Sequence, residues 1–184
     1  MQVTMAITDP SRPPEGWLSA SVDLVRSRRV SWIQFRAKAL PHGARSEAAA
    51  TLADACRRHG VALMINTDLD IARTVGAQGL HLPAGAPRPP SETLEGLVLS
   101  RACHSLEDVL EAQRDSFDMV TLSPIFPPNS KHDKRAPLGL EGLNRVCSKV
   151  EIAIVALGGL DAERGRQCLE AGASGWAAIA HHFP

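Results

Sequence analysis

Short apolar runs alternate with helix-period stretches along the whole chain, and this alternation constrains the fold more than any other feature. The runs are Gln2 to Thr8, Val30 to Phe35, Val61 to Ile65, Gly79 to Leu82, Leu97 to Cys103, Phe117 to Leu122, Ile152 to Leu157 and Ser174 to Ile179. Each has strand length, and most are continuous rather than alternating, the pattern of strands buried on both faces. Between them lie helix-period stretches: Leu18 to Arg26, the Ala-rich Ala44 to His59, Leu69 to Val75, Leu106 to Arg114, Leu140 to Val150 and Asp161 to Ala171. Gly60, Gly76 and Gly172 stand where helix stops belong, and Ser105 and Asp161 where N-caps belong, with Asp108 three residues after Ser105 as in a capping box. The Pro-rich segment Pro87 to Pro90 reads as a loop, with Ser91 as a cap after it.

Eight strands alternating with helices give parallel strand–helix–strand units. The expected architecture is an α/β protein, a compact TIM-type (β/α)8 barrel forming a single domain over residues 1–184. An open doubly wound sheet is the runner-up. It wants a glycine fingerprint after the first strand, and Asp9-Pro10-Ser11-Arg12 is not one. There is no room for a helix before the first strand or for a full C-terminal outer helix after the eighth. The expectation is that a second copy covers that surface, as a homodimer, or that the chain derives from a longer or fused parent.

Composition narrows the function classes. Lys and Arg total 20, as do Asp and Glu, so no net field points to nucleic acid or a membrane, and small-molecule partners are expected. Tyr is absent and Phe numbers 4, so the core is aliphatic. The 4 cysteines (Cys56, Cys103, Cys147, Cys168) form no CxxC pair, which gives no sign of a zinc or redox motif. The absence of a signal-peptide pattern or a membrane-length apolar run suggests a cytoplasmic protein with reduced thiols.

In a barrel of this kind, residues just after the strands meet on one face. They are Thr8 and Asp9; Gln34, Arg36 and Lys38; Asn66, Thr67 and Asp68; His81 and Pro83; His104; Ser123, Ser130 and Lys131; Gly158 and Gly159; Ala180 and His181. Gln34 and Arg36 lie on the same side of the second strand by period-2 alternation, with Lys38 one step beyond. Two cations and an amide at one mouth suit a phosphate or pyrophosphate, although a pair of surface cations would read the same way. Gly158-Gly159 lets a ligand approach the backbone, or simply makes a tight turn. His104 is placed for acid–base work or for holding a loop, and His81 for a hydrogen-bonded role in the core. No HxH, HExxH or acidic cluster has metal-ligand spacing, so no metal site is read from the residues. The stretch from Leu122 to Leu140, LSPIFPPNSKHDKRAPLGL, leaves strand character at Pro124 and becomes a basic loop.

These pieces together resemble the thiamin phosphate synthase and TenI (thiazole tautomerase) superfamily, nearly end to end. The resemblance rests on ITDP at Ile7 to Pro10, IQFRAK at Ile33 to Lys38, INTDLDIA at Ile65 to Ala72 and GAQGLHLPAG at Gly76 to Gly85. CHSLED at Cys103 to Asp108, LSPIFPPNSK at Leu122 to Lys131, LGLEGL at Leu138 to Leu143, ALGGL at Ala156 to Leu160 and AGASGWAAI at Ala171 to Ile179 complete it. The resemblance implies a small phosphorylated thiazole or pyrimidine ligand. It assigns Gln34 to the pyrimidine, and Arg36, Lys38 and Asn66 to pyrophosphate. Ser130 and Lys131 are assigned to the thiazole phosphate and pyrophosphate, and Gly159 and the backbone at Ala180 to the thiazole phosphate cup, where Gly158 beside Gly159 would supply a further backbone amide. The synthase works with Mg²⁺. Where it has two Mg²⁺-ligating aspartates, this chain has Thr67 and, near the second place, Ala86; Pro128 replaces the first threonine of its TxTK loop. Losing both carboxylates removes most affinity for the ion.

The LPAG turn resembles the TenI branch, whose catalytic histidine is matched here by Pro124. Lys131 and His104 remain as candidate catalytic residues, with His132 in the same loop as Lys131. The short ending resembles TenI-like domains fused behind Nudix hydrolase domains. The expectation is thus a thiamin-metabolism protein that binds thiazole phosphate or thiamin phosphate. The alternatives are an active synthase with its metal moved to Asp68 or Asp70, or a non-catalytic ligand-binding or regulatory paralogue.

Overall fold

The structure is a computed structural model that describes residues 3–10, 16–127 and 135–179. Its strands are β1 (Val3–Ile7), β2 (Trp32–Phe35), β3 (Ala62–Asn66), β4 (Gly79–Leu82), β5 (Val98–Cys103), β6 (Met119–Leu122), β7 (Ala153–Leu157) and β8 (Gly175–Ala178). They close in sequence order into one parallel barrel, β8 pairing with β1. The helices are α1 (Trp17–Arg26), α2 (His42–His59), α3 (Leu69–Val75), α4 (Leu106–Arg114), α5 (Gly139–Cys147) and α6 (Ala162–Glu170). Between β4 and β5 the Pro-rich segment supports only a 3-10 turn, Ser91–Thr93, whose Thr93 carbonyl accepts hydrogen bonds from Arg73 of α3. The barrel expectation is met. The expectation about the surface beyond β8 falls on residues 180–184, outside the described residues.

Helix ends follow their sequence signals. Gly60 and Gly76 take the left-handed conformation that ends a helix without strain on a side chain. Ser105 and Asp108 form a full capping box on α4, and Asp161 accepts a hydrogen bond from the Arg164 amide on α6. The helix α2 starts two residues earlier than its sequence pattern, because Pro41 serves as its N-cap residue and Gly43 is tolerated in the first turn.

Side chains on each strand alternate between the lumen and the helix layer. Outward residues such as Ile33, Leu63, Leu80, Leu99, Val120 and Ile154 belong to the large cluster packed under the helices. Inward residues Val3, Met5, Trp32, Met64, Met119 and Val155 fill the lower lumen. Gly79 has no side chain because Met64, Trp32 and the Val98 carbonyl occupy the space a Cβ would need. One outward residue breaks the apolar pattern. Arg101 is buried between β5 and α4, ion-paired to Asp115 at 3.2 Å and Glu111 at 3.4 Å, with its guanidinium 5.0 Å from the centre of the Phe117 ring. It ties α4 to the barrel.

Candidate functional site

Two residues above the apolar lumen layer, the inward face turns polar. Trp32 is followed by Gln34, Met64 by Asn66, Gly79 by His81, Val98 by Ser100 and Met119 by Thr121. Gln34, His81, Ser100, Thr121 and Thr8 are all buried. Asn66, His81 and Ser100 are register neighbours across β3, β4 and β5. His81 Nδ1 and Ser100 Oγ are 3.0 Å apart. Thr8 fixes the end of β2: its hydroxyl accepts from the Arg36 amide at 2.8 Å and donates to the Arg36 carbonyl at 3.1 Å. This fixes the backbone at Arg36, and both Arg36 and Lys38 lie near enough to His81 to act on it.

Burial lowers the pKa of His81 to about 4, and the positive charges of Arg36 and Lys38 push it the same way. The imidazole is therefore neutral near pH 7, and the two cations stand close enough to act on it. Among the described residues no carboxylate pairs with Arg36 or Lys38. Gln34 Nε2 and Asn66 Oδ1 are buried without a hydrogen-bond partner. Each such group costs about 1–3 kcal/mol when left unpaired.

The chain turns sharply after β3. Thr67 has φ of 65°, an outlier for a β-branched residue. That turn sends Asn66 toward the lumen and Asp68 outward, where Asp68 caps α3 by accepting from the Ile71 amide at 3.1 Å. Its other oxygen faces Arg45 at 3.5 Å and His42 at 3.9 Å, both on the first turn of α2. Lys38, Arg45, Asn66, Thr67 and Asp68 line one small cleft.

His104, at the end of β5, has Nδ1 2.7 Å from the Ser123 carbonyl, so Nδ1 carries the proton. Its amide donates to Asp108 at 2.8 Å. The ring is fixed as one tautomer, with Nε2 unpartnered among the described residues. Gly158 and Gly159 have φ of 101° and 66°. The neighbouring loop docks on them: the Ile125 amide donates to Leu157 O and the Phe126 amide to Gly158 O. Arg164 locks this contact, donating to Gly159 O at 2.7 Å with its guanidinium 5.0 Å from the centre of the Phe126 ring. The tight-turn reading of the glycine pair is thus realised.

The barrel brings Gln34, Arg36, Lys38, Asn66, His104, Gly158 and Gly159 to its C-terminal end, as their strand-end positions require. Ser130, Lys131 and Ala180, with Pro128, His132 and His181, lie outside the described residues. Sequence reasoning missed Arg45 and Arg164. Both sit in the first turn of a helix, and in a barrel those turns share the face with the strand ends, which was the available signal. The described residues do not fit Mg²⁺. Among the described residues no group of three His, Cys, Asp or Glu could hold a metal ion. Asp68 is committed to the cap and to Arg45, and Asp70 is exposed on α3. Among the described residues no helix is long and apolar enough to cross a membrane.

The comparisons with known proteins agree with this layout. The family model for thiamine monophosphate synthase matches residues 4–181. A protein of Aquifex aeolicus provisionally named thiamine-phosphate synthase 2 is 34% identical over 177 residues, covering 95% of this chain and 94% of that one. The bifunctional thiamine biosynthesis protein ThiM/ThiE of Symbiobacterium thermophilum is 35% identical over 150 residues, covering 80% of this chain and 31% of that protein. The solved structure of thiamine phosphate pyrophosphorylase from Pyrococcus furiosus superposes with a TM-score of 0.83 at 27% identity, covering 97% of this chain and 85% of that one. With the family match running from β1 through β8, the chain belongs to the thiamine monophosphate synthase family.

Proposed function

We propose that this chain is a single-domain, thiamin-related binding protein whose barrel mouth takes thiazole phosphate or thiamin phosphate. The observation that carries the reading is the polar ring in the upper lumen. Gln34 and Asn66 hold buried atoms without partners, beneath Arg36 and Lys38, which no described carboxylate neutralises. A phosphorylated heterocycle supplies what both layers lack. Gln34 Nε2 can donate to a ring nitrogen, Asn66 Oδ1 can accept from an amino group such as the one thiamin phosphate carries, and the phosphate meets the cations. Ser130, Lys131, Gly158, Gly159 and the backbone at Ala180 complete the phosphate contacts in this proposal. Calorimetric titration tests it: thiazole phosphate and thiamin phosphate should bind with micromolar or tighter affinity. No heat from either ligand, with an intact folded protein by circular dichroism, refutes it.

A non-catalytic paralogue is the second reading, favoured by one observation, that the β3–α3 turn offers Thr67 and a committed Asp68 in place of a metal-binding carboxylate. Lys131 and His104 remain the proposed catalytic residues of an active enzyme. His104 is held by Nδ1 on the Ser123 carbonyl, which leaves Nε2 without a partner among the described residues. Incubation with pyrimidine pyrophosphate, thiazole phosphate and Mg²⁺ decides between the readings. Thiamin phosphate formed at an enzyme-like rate, and lost in Lys131→Ala, rules out the paralogue. A fusion partner like that of the bifunctional relative, or a homodimer, belongs to the same proposal.

A further inference from the structure

We infer that this chain binds phosphate groups without a divalent cation, and that Arg45 of α2 is a further anion-binding residue beside Lys38. The inference rests on the proposed binding reading and concerns the chemistry of that same site. Arg45 reaches from the first turn of α2 into the cleft lined by Lys38, Asn66, Thr67 and Asp68. Its guanidinium makes no hydrogen bond among the described residues, and its Nε is buried without a partner. Its one ion pair among the described residues is that with Asp68 at 3.5 Å, too long for a strong charge-assisted hydrogen bond. A buried guanidinium nitrogen without an acceptor is the kind of donor a phosphate oxygen satisfies. The free space in the cleft is about that of one water-sized group, room for one such oxygen.

The carboxylate side of the site points the same way. Mg²⁺ at a diphosphate relies on one or two carboxylates plus the phosphate oxygens. Among the described residues, the only carboxylate lining this cleft is Asp68. One of its oxygens is spent on the Ile71 amide and the other faces Arg45 and His42. A metal ion placed there would have to displace a helix cap and face two basic side chains. Among the described residues lining the cleft, Lys38 and Arg45 stand against the one carboxylate of Asp68, an excess of positive charge. Such a site gains nothing from a metal bridge. It also binds the metal complex of a diphosphate less well than the free anion, because the metal removes negative charge and occupies the oxygens Arg45 and Lys38 would use.

The test uses inorganic pyrophosphate as the probe, titrated into the protein by calorimetry with EDTA and then with excess Mg²⁺. Binding should persist in EDTA and be no tighter, or weaker, with Mg²⁺. Arg45→Ala should weaken it about tenfold or more, the loss of a charge-assisted hydrogen bond, with Arg45→Lys intermediate. Asp68→Asn keeps the cap, since Asn caps helices as well as Asp, and removes the competing charge, so it should tighten pyrophosphate binding severalfold. A purely structural role for the Arg45–Asp68 pair predicts no such gain. Binding abolished by EDTA, or affinity unchanged in both Arg45→Ala and Asp68→Asn, overturns the inference. The two proposals fail separately. Thiazole phosphate bound without any pyrophosphate binding sinks this inference and leaves the function. Metal-free pyrophosphate binding without affinity for thiazole phosphate or thiamin phosphate does the reverse.

Discussion

Replacing Gly159 by Ala should cost far more than replacing Gly60 by Ala, although both glycines have nearly the same backbone conformation, φ of 66° and 69°. Any residue with a Cβ is strained in that region, by about 1–2 kcal/mol. At Gly60 nothing lies within 4 Å of the added methyl, so that strain is the whole cost. At Gly159 the methyl would stand 2.6 Å from the Pro127 carbonyl oxygen, 2.9 Å from Phe126 Cβ and 3.1 Å from Phe126 C. Two of those atoms are backbone, and the Phe126 ring faces the Arg164 guanidinium, so the loop cannot give by a simple rotamer change. Overpacking of this kind costs about 1–3 kcal/mol more. At about 3 °C per kcal/mol for a domain of this length, the Gly159 variant should melt about 3–9 °C below the Gly60 variant. Urea unfolding of the two proteins, run side by side, measures the difference. Equal destabilisation would show that the docking of the Pro124–Pro127 segment on the β7–α6 turn has been misjudged, and with it the route by which α6 steadies the loop.

The buried His81 makes a pH prediction. Its pKa is lowered to about 4 by burial and then by Arg36 and Lys38, so the unfolded chain takes up this proton before the folded one. Stability should be full above about pH 6.5 and fall toward pH 4 by up to about 3 kcal/mol. His81→Gln should flatten that limb, and an unchanged profile would count against a buried neutral imidazole. Thr67→Asn should raise stability by about 1 kcal/mol, since Asn tolerates a positive φ that strains a β-branched residue; a lower melting temperature would contradict the strain. Burial pushes the thiols of Cys56 up to about 12 and of Cys103 and Cys168 to about 11, and raises Cys147, the half-buried one, as well. A thiol reagent at neutral pH should label Cys147 first and the other three only on unfolding; rapid labelling of several native thiols would refute this.

The barrel was legible because its signals are local. Continuous apolar runs such as Ile152 to Leu157 name strands buried on both faces, and Gly60, Gly76, Ser105 and Asp161 mark helix ends by chemistry confined to a few residues. Part of the site was legible for the same reason, since barrel topology sends every strand end to one face. What stayed hidden depends on contacts between distant segments. Arg101 looks like a polar residue in a strand until Glu111 and Asp115, at the C-terminal end of α4, close around it. Arg45 and Arg164 matter through what lies across the β2–α2 and β7–α6 turns from them, and no spacing in the sequence encodes that. The role of Asp68 as cap and ion-pair partner was hidden likewise, because its proximity to Arg45 exists only once α2 packs beside α3.

Several residues that look functional in the sequence have sufficient structural reasons to be there. His104 holds the Ser123 carbonyl, Gly158 and Gly159 admit the Pro124–Pro127 segment, and Asp68 caps α3. Their identities therefore say little about a ligand. Other residues lack such reasons. A barrel lumen that only had to be packed would continue upward in Val, Ile and Leu, as it does from Val3 to Ile7 on β1. Instead it switches to Gln34, Asn66, His81, Ser100 and Thr121. His81 and Ser100 satisfy each other. Gln34 and Asn66 are left with unpaired buried atoms, and two cations stand above them where they weaken the protonated form of His81 and meet no described carboxylate. That arrangement costs stability in the empty protein, and the proposed ligand would offset it by giving Gln34 an acceptor, Asn66 a donor and the two cations a negative charge.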